Sequence, residues 1–168
     1  MTRPSPQWIK ERVSQDLLWG GLSVFTDRAR KLLAHGQRQA TYDHCHVIMP
    51  EHLLLALASL EPGVASVALE ALGMKLSEHH QAIGGLTPAR KVDGPEIEPA
   101  PDADAKAIVV YAKAQARALG HKYVGTEHLV LGMLQCENCP APQYLRRHGI
   151  SIDAFREEVL KLLSLNQS

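Results

Sequence analysis

The chain has 168 residues, a formal net charge of zero, 45% hydrophobic residues and only 5% aromatic residues. This length is typical of one compact domain, and an aliphatic core favours an all-α fold over a sheet. The balanced charge argues against nucleic acid as the main partner, because no basic excess is present to neutralise a phosphate backbone. No apolar run approaches the roughly 20 residues of a membrane span, and the N-terminus lacks a secretion signal, so no membrane partner is expected. Three cysteines form no disulfide framework, which predicts a cytoplasmic location.

Residues 1–24 predict one helix with no counterpart elsewhere in the chain. Apolar residues recur at helical spacing until Gly20-Gly21 ends the pattern. Two interpretations stay open: an extra helix packed on the domain, or a helix that binds a partner. The residues that carry the pattern are Ile9, Val13, Leu17 and Leu18, with Trp8 and Trp19 near the two ends.

Residues 25–83 predict four helices. Thr26 is a good N-cap for the first, and Pro50 sits in the first turn of the second, where proline is favoured. Gly73 is placed to end the third helix, and Ser77 to cap a last helix that holds Ile83. The expected bounds of the first three are 26–41, 51–60 and 64–72.

Residues 84–101 are rich in glycine and proline and predict a linker without regular structure. Four more helices are expected over residues 102–163. The first runs over 104–119 and ends at Gly120, and Thr126 is expected to cap the second. Gly149 is placed to end the third helix, and Ser151 or Asp153 to cap the last.

The two sets of helices are copies of one unit. The pair Glu51-His52 reappears as Glu127-His128, an offset of 76 residues, the difference between 127 and 51. A constant offset over such a length indicates one structural unit used twice. Each unit has one apolar face, so we expect the two to pack face to face around a pseudo-twofold axis. The same offset relates Ala29 to Ala105, Gln39-Ala40 to Gln115-Ala116, Ala65 to Ala141, Leu69 to Leu145 and Gly73 to Gly149.

The repeated Glu-His pair is the best candidate for a binding site. Each glutamate is expected in the first turn of a helix, where a carboxylate complements the macrodipole without any ligand. The alternative is a ligand site, because free N–H groups bind an anion while the carboxylate binds a cation. A guanidinium that carries a phosphate satisfies both groups. Two interpretations of His52 and His128 stay open: hydrogen-bonded residues within the repeat interface, or residues with a ligand-contacting or pH-sensing role.

Two cysteine-containing segments have the residue types of a zinc or redox site. His44-Cys45-His46 offers two imidazoles and a thiol, and Cys136 and Cys139 have the Cys-x-x-Cys spacing. The 76-residue offset does not superpose them, and neither has a second half nearby. Ordinary loop residues are the simpler interpretation, and no metal or other cofactor is expected.

Two clusters of basic residues complete the set of candidate features. They are Arg28, Arg30 and Lys31 in the first helix of the first repeat, and Arg146-Arg147-His148 in the second repeat. The simpler interpretation is a solvated face, and the alternative is a patch for an acidic partner.

Several of these motifs resemble the Clp N-terminal repeat domain, the module at the front of Clp AAA+ unfoldases, most similar to the ClpC and ClpA type. The resemblance covers residues 25–163 and implies an all-α fold of two tandem four-helix repeats. It also implies recognition of phosphorylated arginine as a degradation tag, through the glutamates that correspond to Glu51 and Glu127. The motifs are Phe25-Thr26-x-x-Ala29, the Glu-His-Leu-Leu-Leu-Ala-Leu run, the 118–129 segment with Gly125-Thr126-Glu127-His128-Leu129, and Leu69-x-x-Leu72-Gly73.

The two predicted sites are not equal. The second keeps Gly125-Thr126, which gives a permissive backbone and a hydroxyl. The first has Met49-Pro50, where the proline deletes one N–H donor and the methionine supplies no capping oxygen. We therefore expect the Glu127 site, rather than the Glu51 site, to bind phosphoarginine.

The sequence predicts a binding module and no enzyme. It has no phosphate loop, no nucleophile elbow and no His-Glu-x-x-His motif. If the 168 residues are complete, the chain is a stand-alone Clp N-domain protein without ATPase modules. The expected partners are a Clp unfoldase or protease and protein substrates, including phosphoarginine-tagged ones. Two alternatives stay open: a docking or assembly factor that does not contact substrate, and a zinc- or redox-regulated protein that uses Cys136 and Cys139.

Overall fold

The structure is a computed structural model that describes residues 7–87, 94, 95 and 97–167. Within α1, the predicted apolar side chains of Trp8, Ile9 and Val13 lie outside the described set. The described residues form nine α-helices, one short 3-10 helix and two very short strands. This confirms the all-α prediction and the pair of tandem repeats.

The first repeat follows the N-terminal helix α1 (Gln7–Trp19) and the second begins at α6. The fourth helix of the first repeat is much shorter than its counterpart, with five residues in α5 and fourteen in α9. The first repeat contains α2 (Asp27–Tyr42), β1 (Val47–Ile48), α3 (Pro50–Ser59), α4 (Val64–Ala71), the 3-10 helix Leu76–Glu78 and α5 (His80–Gly84). The second contains β2 (Ala100–Pro101), α6 (Ala103–Ala118), α7 (Thr126–Gln135), α8 (Pro140–Arg147) and α9 (Ile152–Leu165).

The N-terminal helix is part of the packed domain. It ends at two glycines in the left-handed region, where φ is 76° at Gly20 and 96° at Gly21. Trp19 is 4% exposed and its indole N–H donates to Gln15. Arg30 of α2 forms an ion pair with Asp16, which ties α1 to the first repeat. These contacts agree with the interpretation of α1 as an extra packed helix.

Two of the predicted N-cap residues cap their helices, and two others do not. Thr26 accepts the N–H of Ala29 at 3.1 Å, and Ser151 caps α9 in the same way. The expected cap at Thr126 is wrong, because Gly125 occupies the N-cap position and Thr126 is the first helical residue. The expected cap at Ser77 is wrong as well, since Ser77 lies inside the 3-10 helix and α5 begins three residues later.

Two backbone pairings show the pseudo-twofold symmetry directly. Ile48 pairs in parallel with Pro101, and Phe25 pairs in parallel with Val124. The offset of 76 residues converts Ile48 into Val124 and Phe25 into Pro101, so the two pairings are one contact made twice. In each, the segment before one repeat's second helix pairs with the segment before the other repeat's first helix. This places both helix starts at the interface between repeats.

The same pairing corrects the linker prediction. Residues 100 and 101, expected to be irregular, form β2, and Gly84 belongs to α5. Proline is tolerated in this strand because each strand has one neighbour and an open edge. Asp102 follows β2 and caps α6 by accepting the N–H of Ala105 at 2.8 Å, as Thr26 does for α2.

The core is aliphatic and lies between the repeats. Its larger members are leucine and isoleucine, with Phe155 as the one fully buried aromatic side chain among the described residues. Helices α3 and α7 are almost wholly buried, and each packs against the third helix of the other repeat. Among the described residues no single helix is long and apolar enough to span a membrane; by length and composition alone, the bent pair α3 and α4 passes that test together.

Candidate functional site

The repeated Glu-His pairs lie in the first turns of α3 and α7, as predicted, but all four side chains are buried. Glu51 is 2% exposed and Glu127 is 4% exposed, while His52 and His128 are fully buried. Thr126 is buried beside them at 3% exposure. Both helix starts therefore sit in the interface between repeats, and neither carboxylate is presented openly to solvent.

Each histidine closes the start of its own helix. The backbone N–H of Met49 donates to Nδ1 of His52 at 2.9 Å, and that of Gly125 donates to Nδ1 of His128 at 2.8 Å. An acceptor role for Nδ1 fixes the neutral tautomer that carries its proton on Nε2. Each histidine therefore accepts the N–H of the N-cap residue, as the Glu or Gln at the third helical position does in a capping box. This geometry agrees with the interpretation of hydrogen-bonded interface residues.

The second nitrogen of each ring meets a different environment. Nε2 of His128 lies 2.8 Å from Nδ1 of His121, and the ring of His121 stacks on Tyr123. Nε2 of His52 has only the Asp43 carboxylate nearby, at 3.6 Å, and neither of these two buried atoms has a hydrogen-bond partner. His121 lies within the 118–129 motif but was assigned no role, and Asp43 was not identified, since neither residue is shared by the repeats.

The two rings also differ in how strongly their charged form is disfavoured. Burial lowers the pKa of His128 to about 4, and His121 adds to this effect. Burial also lowers the pKa of His52, but the Asp43 carboxylate opposes that shift. Both rings are therefore neutral at pH 7.

Glu51 reaches across the interface. Its carboxylate accepts the backbone N–H of Ala141, near the start of α8, at 3.0 Å. An acidic side chain at a helix N-terminus is favoured there by the free N–H groups and the dipole. Burial raises the pKa of Glu51, and Asp102 and Asp104 add to this rise. In the first repeat the glutamate therefore joins the two repeats.

Glu127 folds back on its own helix start instead. Its carboxyl group occupies the space that a Cβ atom at residue 125 would fill, which only glycine permits. Burial raises the pKa of Glu127, although its own backbone N–H opposes the rise, as it also does at Glu51. Among the described residues, Glu127 does not make the contact with Ala65 that would correspond to the bond between Glu51 and Ala141.

The residues before each glutamate account for this difference. Met49 carries a Cβ where Gly125 has none, so the Glu51 carboxylate cannot fill the corresponding space. It stays near its own backbone N–H and also reaches Ala141. Pro50 has no N–H to offer, whereas Thr126 retains one. The sequence alone predicted that the two sites differ at these two positions. It did not show that the missing Cβ of Gly125 makes room for the Glu127 carboxylate.

The cysteines lie where the two helices α7 and α8 meet. Cys136 ends α7 and Cys139 precedes α8, and both thiols are free and buried. Burial raises the pKa of both, to about 12 for Cys139, so they are thiols at neutral pH. No group of three or more potential ligands is assembled in the described parts of the chain, including His44-Cys45-His46.

Three arginines of the two basic clusters bond to other parts of the chain. Arg30 points inward to Asp16 and to backbone carbonyls of Leu22 and Phe25. Arg146 donates to the carbonyls of Leu134 and Cys136 at the end of α7, so it has a structural role. Arg28 donates to the carbonyls of Glu61 and Pro62 and lies against Gly63, beside the start of α4.

Comparison with known proteins agrees with this architecture. The family model described as "Clp repeat (R) N-terminal domain" matches residues 24–107 and 100–167. The chain belongs to the Clp repeat N-terminal domain family. The family match falls on the two repeats and leaves the whole of α1 outside it.

Two curated relatives are similar over most of the chain. "Chaperone protein ClpB" of Oceanobacillus iheyensis is 37% identical over 144 residues, which is 86% of this chain and 18% of that protein. "Negative regulator of genetic competence ClpC/MecB" of Bacillus subtilis is 35% identical over the same shares. The chain thus spans less than one fifth of the length of these relatives.

Solved structures share the fold at low sequence identity. The N-domain of ClpV from Vibrio cholerae has a TM-score of 0.72 at 14% identity and covers 89% of both chains. The N-terminal domain of ClpD from Arabidopsis thaliana has a TM-score of 0.65 at 18% identity and covers 85% of this chain and 96% of that one.

Proposed function

We propose that this domain is a non-enzymatic binding module of a Clp AAA+ proteolysis system, which receives substrates, degradation tags or adaptors. The observation that carries the proposal is the duplicated helical domain, closed around its own interface and matched to the Clp repeat family. The polar groups buried at that interface are fixed by caps and backbone bonds rather than arranged as an acid, a base and a nucleophile. Cytoplasmic location stays a prediction.

We assign tag binding to Glu127 rather than to Glu51. The Glu51 carboxylate is already engaged by Ala141 of the other repeat, and displacing it would expose a buried donor. Among the described residues the Glu127 carboxylate has no bond to the other repeat like that of Glu51, so it can rotate outward without breaking one. Thr126, His128, Glu51 and His52 then shape and support the helix starts, as cap and interface residues.

The start of α4 supplies an anion partner for the same site. By the pseudo-twofold symmetry, Glu127 faces α4 as Glu51 faces α8, and α7 packs against α4. The N-terminal N–H groups of α4 have no carboxylate cap comparable to Glu51, and Arg28 lies against Gly63 at this end. A guanidinium on Glu127 and its phosphate at the α4 start satisfy both charges. This supports phosphoarginine as the ligand.

Calorimetric titration with free phosphoarginine tests the assignment. We expect one binding site in the wild type, loss of binding in Glu127→Gln, and retained binding in the matched variant Glu51→Gln. Arginine and inorganic phosphate, each titrated alone, should bind more weakly than phosphoarginine. Equal loss in both glutamine variants, or binding that survives Glu127→Gln, would contradict the assignment.

The alternative function, docking on a Clp ATPase or protease ring, has one supporting observation. Leu17 on α1 is 81% exposed, although α1 itself is packed on the domain. Deleting residues 1–24 is a poor test because it removes the buried Trp19 and Leu22. Substituting Leu17→Ser leaves the packing intact. Loss of binding to purified Clp ATPase with Leu17→Ser, but not with Glu127→Gln, would favour docking.

A further inference from the structure

A second candidate surface lies on the outer face of α2. Four basic or imidazole side chains, the basic stripe, line one wall of a cleft of about 810 Å³. Ser59, Leu60 and Glu61 at the end of α3 line the other wall, and Asp27 lies at the start of α2. The stripe consists of Arg28, Lys31, His35 and Arg38, spaced to share one helix face.

The charges of the stripe are not neutralised by the protein. Within the described ranges, no ion pair involves Lys31 or Arg38, and the Arg28 guanidinium donates to backbone carbonyls rather than to a carboxylate. Lys31 and Arg38 are exposed. Burial lowers the pKa of His35, and the neighbouring Arg38 and Lys31 lower it further, as a positive local potential requires.

The second repeat shows that the fold does not need these cations. The positions equivalent to the stripe are Asp104, Ala107, Tyr111 and Ala114, none of them basic. Helix α6 nonetheless packs on α7 as α2 packs on α3. A structural role common to the repeats would not explain four basic or imidazole residues in one copy only.

Among the described residues, the long α9 crosses the corresponding gap in the second repeat but has no equivalent in the first. In the second repeat, Arg156 of the long α9 donates to Gln115 of α6 at 3.1 Å, and Gln115 donates to Gln135 at the end of α7. These bonds bridge the equivalent gap. The equivalents in the first repeat are His80 and Ser59, which bond to each other at 3.0 Å rather than to α2. Helix α2 reaches the end of α3 through Arg28 instead, at one end of the stripe.

We propose that the basic stripe and its cleft bind an extended acidic segment of a partner protein. Positions 28 to 38 span about 15 Å along the helix axis, the length of roughly five residues of extended peptide. Carboxylates on such a peptide would neutralise the cations of the stripe. The zero net charge of the chain disfavours a nucleic acid, whose long phosphate backbone extends beyond the stripe. The site does not include Glu127, although Arg28 lies between the stripe and the start of α4, so Lys31 and Arg38 are the residues that test it.

Fluorescence anisotropy with a labelled peptide of five consecutive glutamates tests the proposal, with the glutamine version as control. We expect the glutamate peptide to bind, with an affinity that falls as salt rises, and the glutamine peptide not to bind. Lys31→Ala/Arg38→Ala should weaken binding about tenfold, the combined loss expected for two exposed charge pairs. Glu127→Gln should bind the peptide as the wild type does.

The matched control is Lys122→Ala/Arg147→Ala, which removes two exposed cations from elsewhere and changes net charge equally. Because all four residues are exposed, both double variants should keep the circular dichroism spectrum and melting temperature of the wild type. Equal weakening in the control, or no binding of the glutamate peptide to the wild type, would overturn the proposal. Equally tight binding of a single-stranded oligonucleotide, weakened by the same double variant, would assign the surface to nucleic acid instead.

Discussion

The two helix starts show how one motif takes two roles. Glu51 and Glu127 occupy equivalent positions, each followed by a histidine that accepts the N-cap N–H. Glu51 extends to Ala141 and links the repeats, while Glu127 folds back over Gly125. The deciding difference is the residue two positions earlier, methionine in one copy and glycine in the other.

This comparison teaches that the absence of one Cβ atom can direct a buried carboxylate. A side chain at residue 125 would fill the space of the Glu127 carboxyl group and push it outward. Among the described residues, the Glu127 carboxylate at the start of α7 therefore has no hydrogen bond to the first repeat that corresponds to the bond between Glu51 and Ala141. The predictions that follow compare one repeat with the other, except the last, which concerns the cysteines of the second repeat.

The largest expected effect is at the helix crossings. Each crossing has one glycine, but on opposite helices: Gly36 on α2 and Gly132 on α7. A Cβ at Gly132 would lie 2.6 Å from the carbonyl oxygen of Ile108 and 2.9 Å from the N atom of Ala112. Because backbone cannot move aside easily, Gly132→Ala should cost roughly 1–3 kcal/mol of unfolding free energy. Urea denaturation of the wild type and of Gly132→Ala measures this loss of unfolding free energy.

Gly36→Ala is the matched variant. There the added Cβ would meet the tip of Leu53 at 2.5 Å, with backbone no nearer than 3.7 Å. A leucine methyl can rotate, and alanine gains up to about 1 kcal/mol of helix propensity over glycine. We expect a much smaller loss than for Gly132→Ala. A loss as large or larger would show that both crossings are equally tight.

The next largest effect is a difference in unfolding free energy between the alanine variants of the two glutamates. Glu51→Ala leaves the N–H of Ala141 without its partner in a buried interface and should cost about 1–3 kcal/mol. Glu127→Ala removes a carboxylate that bonds to its own turn and should cost less than about 1 kcal/mol. Thermal and urea unfolding of the two variants, side by side, measure the difference. Equal costs would mean that Glu127 also stabilises the interface.

A smaller effect concerns pH. The pKa of His128 is lowered from 6.5 to about 4, so the unfolded chain takes up the proton first as the pH falls. Stability contributed by the neutral ring is complete above pH 6.5 and is lost as the pH falls toward 4. Glu51 and Glu127, whose pKa values are raised, act in the opposite sense, because their protonation stabilises the folded state as the pH falls.

Asparagine variants isolate the histidine contribution. His128→Asn keeps an acceptor for the N–H of Gly125 but does not titrate, so it should flatten the loss of stability between pH 6.5 and 4. His52→Asn should flatten it less, because Asp43 opposes the shift at His52. Unfolding free energy measured at several pH values gives both slopes. An unchanged slope in His128→Asn would show that its ring protonates without resistance in the folded domain.

The smallest effect is expected at the cysteines. Because burial raises the pKa of Cys136 and Cys139, alkylation of the folded domain at pH 8 should be slow and should become fast in urea. The double variant Cys136→Ser/Cys139→Ser should bind phosphoarginine as the wild type does. Stoichiometric zinc in the purified protein, lost in that variant, would restore the metal hypothesis.

The sequence alone was enough for the architecture and for part of the site. The constant offset predicted two four-helix units, and the turn glycines and caps set most helix ends, because these signals are local. The pairing of Ile48 with Pro101 was missed, since a two-residue strand has no periodicity and its partner is distant in the chain. The bond from Ala141 to Glu51 was missed for a related reason: a backbone N–H leaves no mark in the sequence.

Hydrogen exchange of two backbone amides, followed by NMR, tests the division of roles most directly. The amides are those of Ala141 and Ala65, the equivalent positions near the starts of α8 and α4. The account predicts that Ala141 is the better protected, that Glu51→Ala removes this protection, and that Glu127→Ala leaves Ala65 unchanged. Equal protection of both amides, each lost on removing the glutamate that faces it, would contradict the account and give both glutamates one structural role.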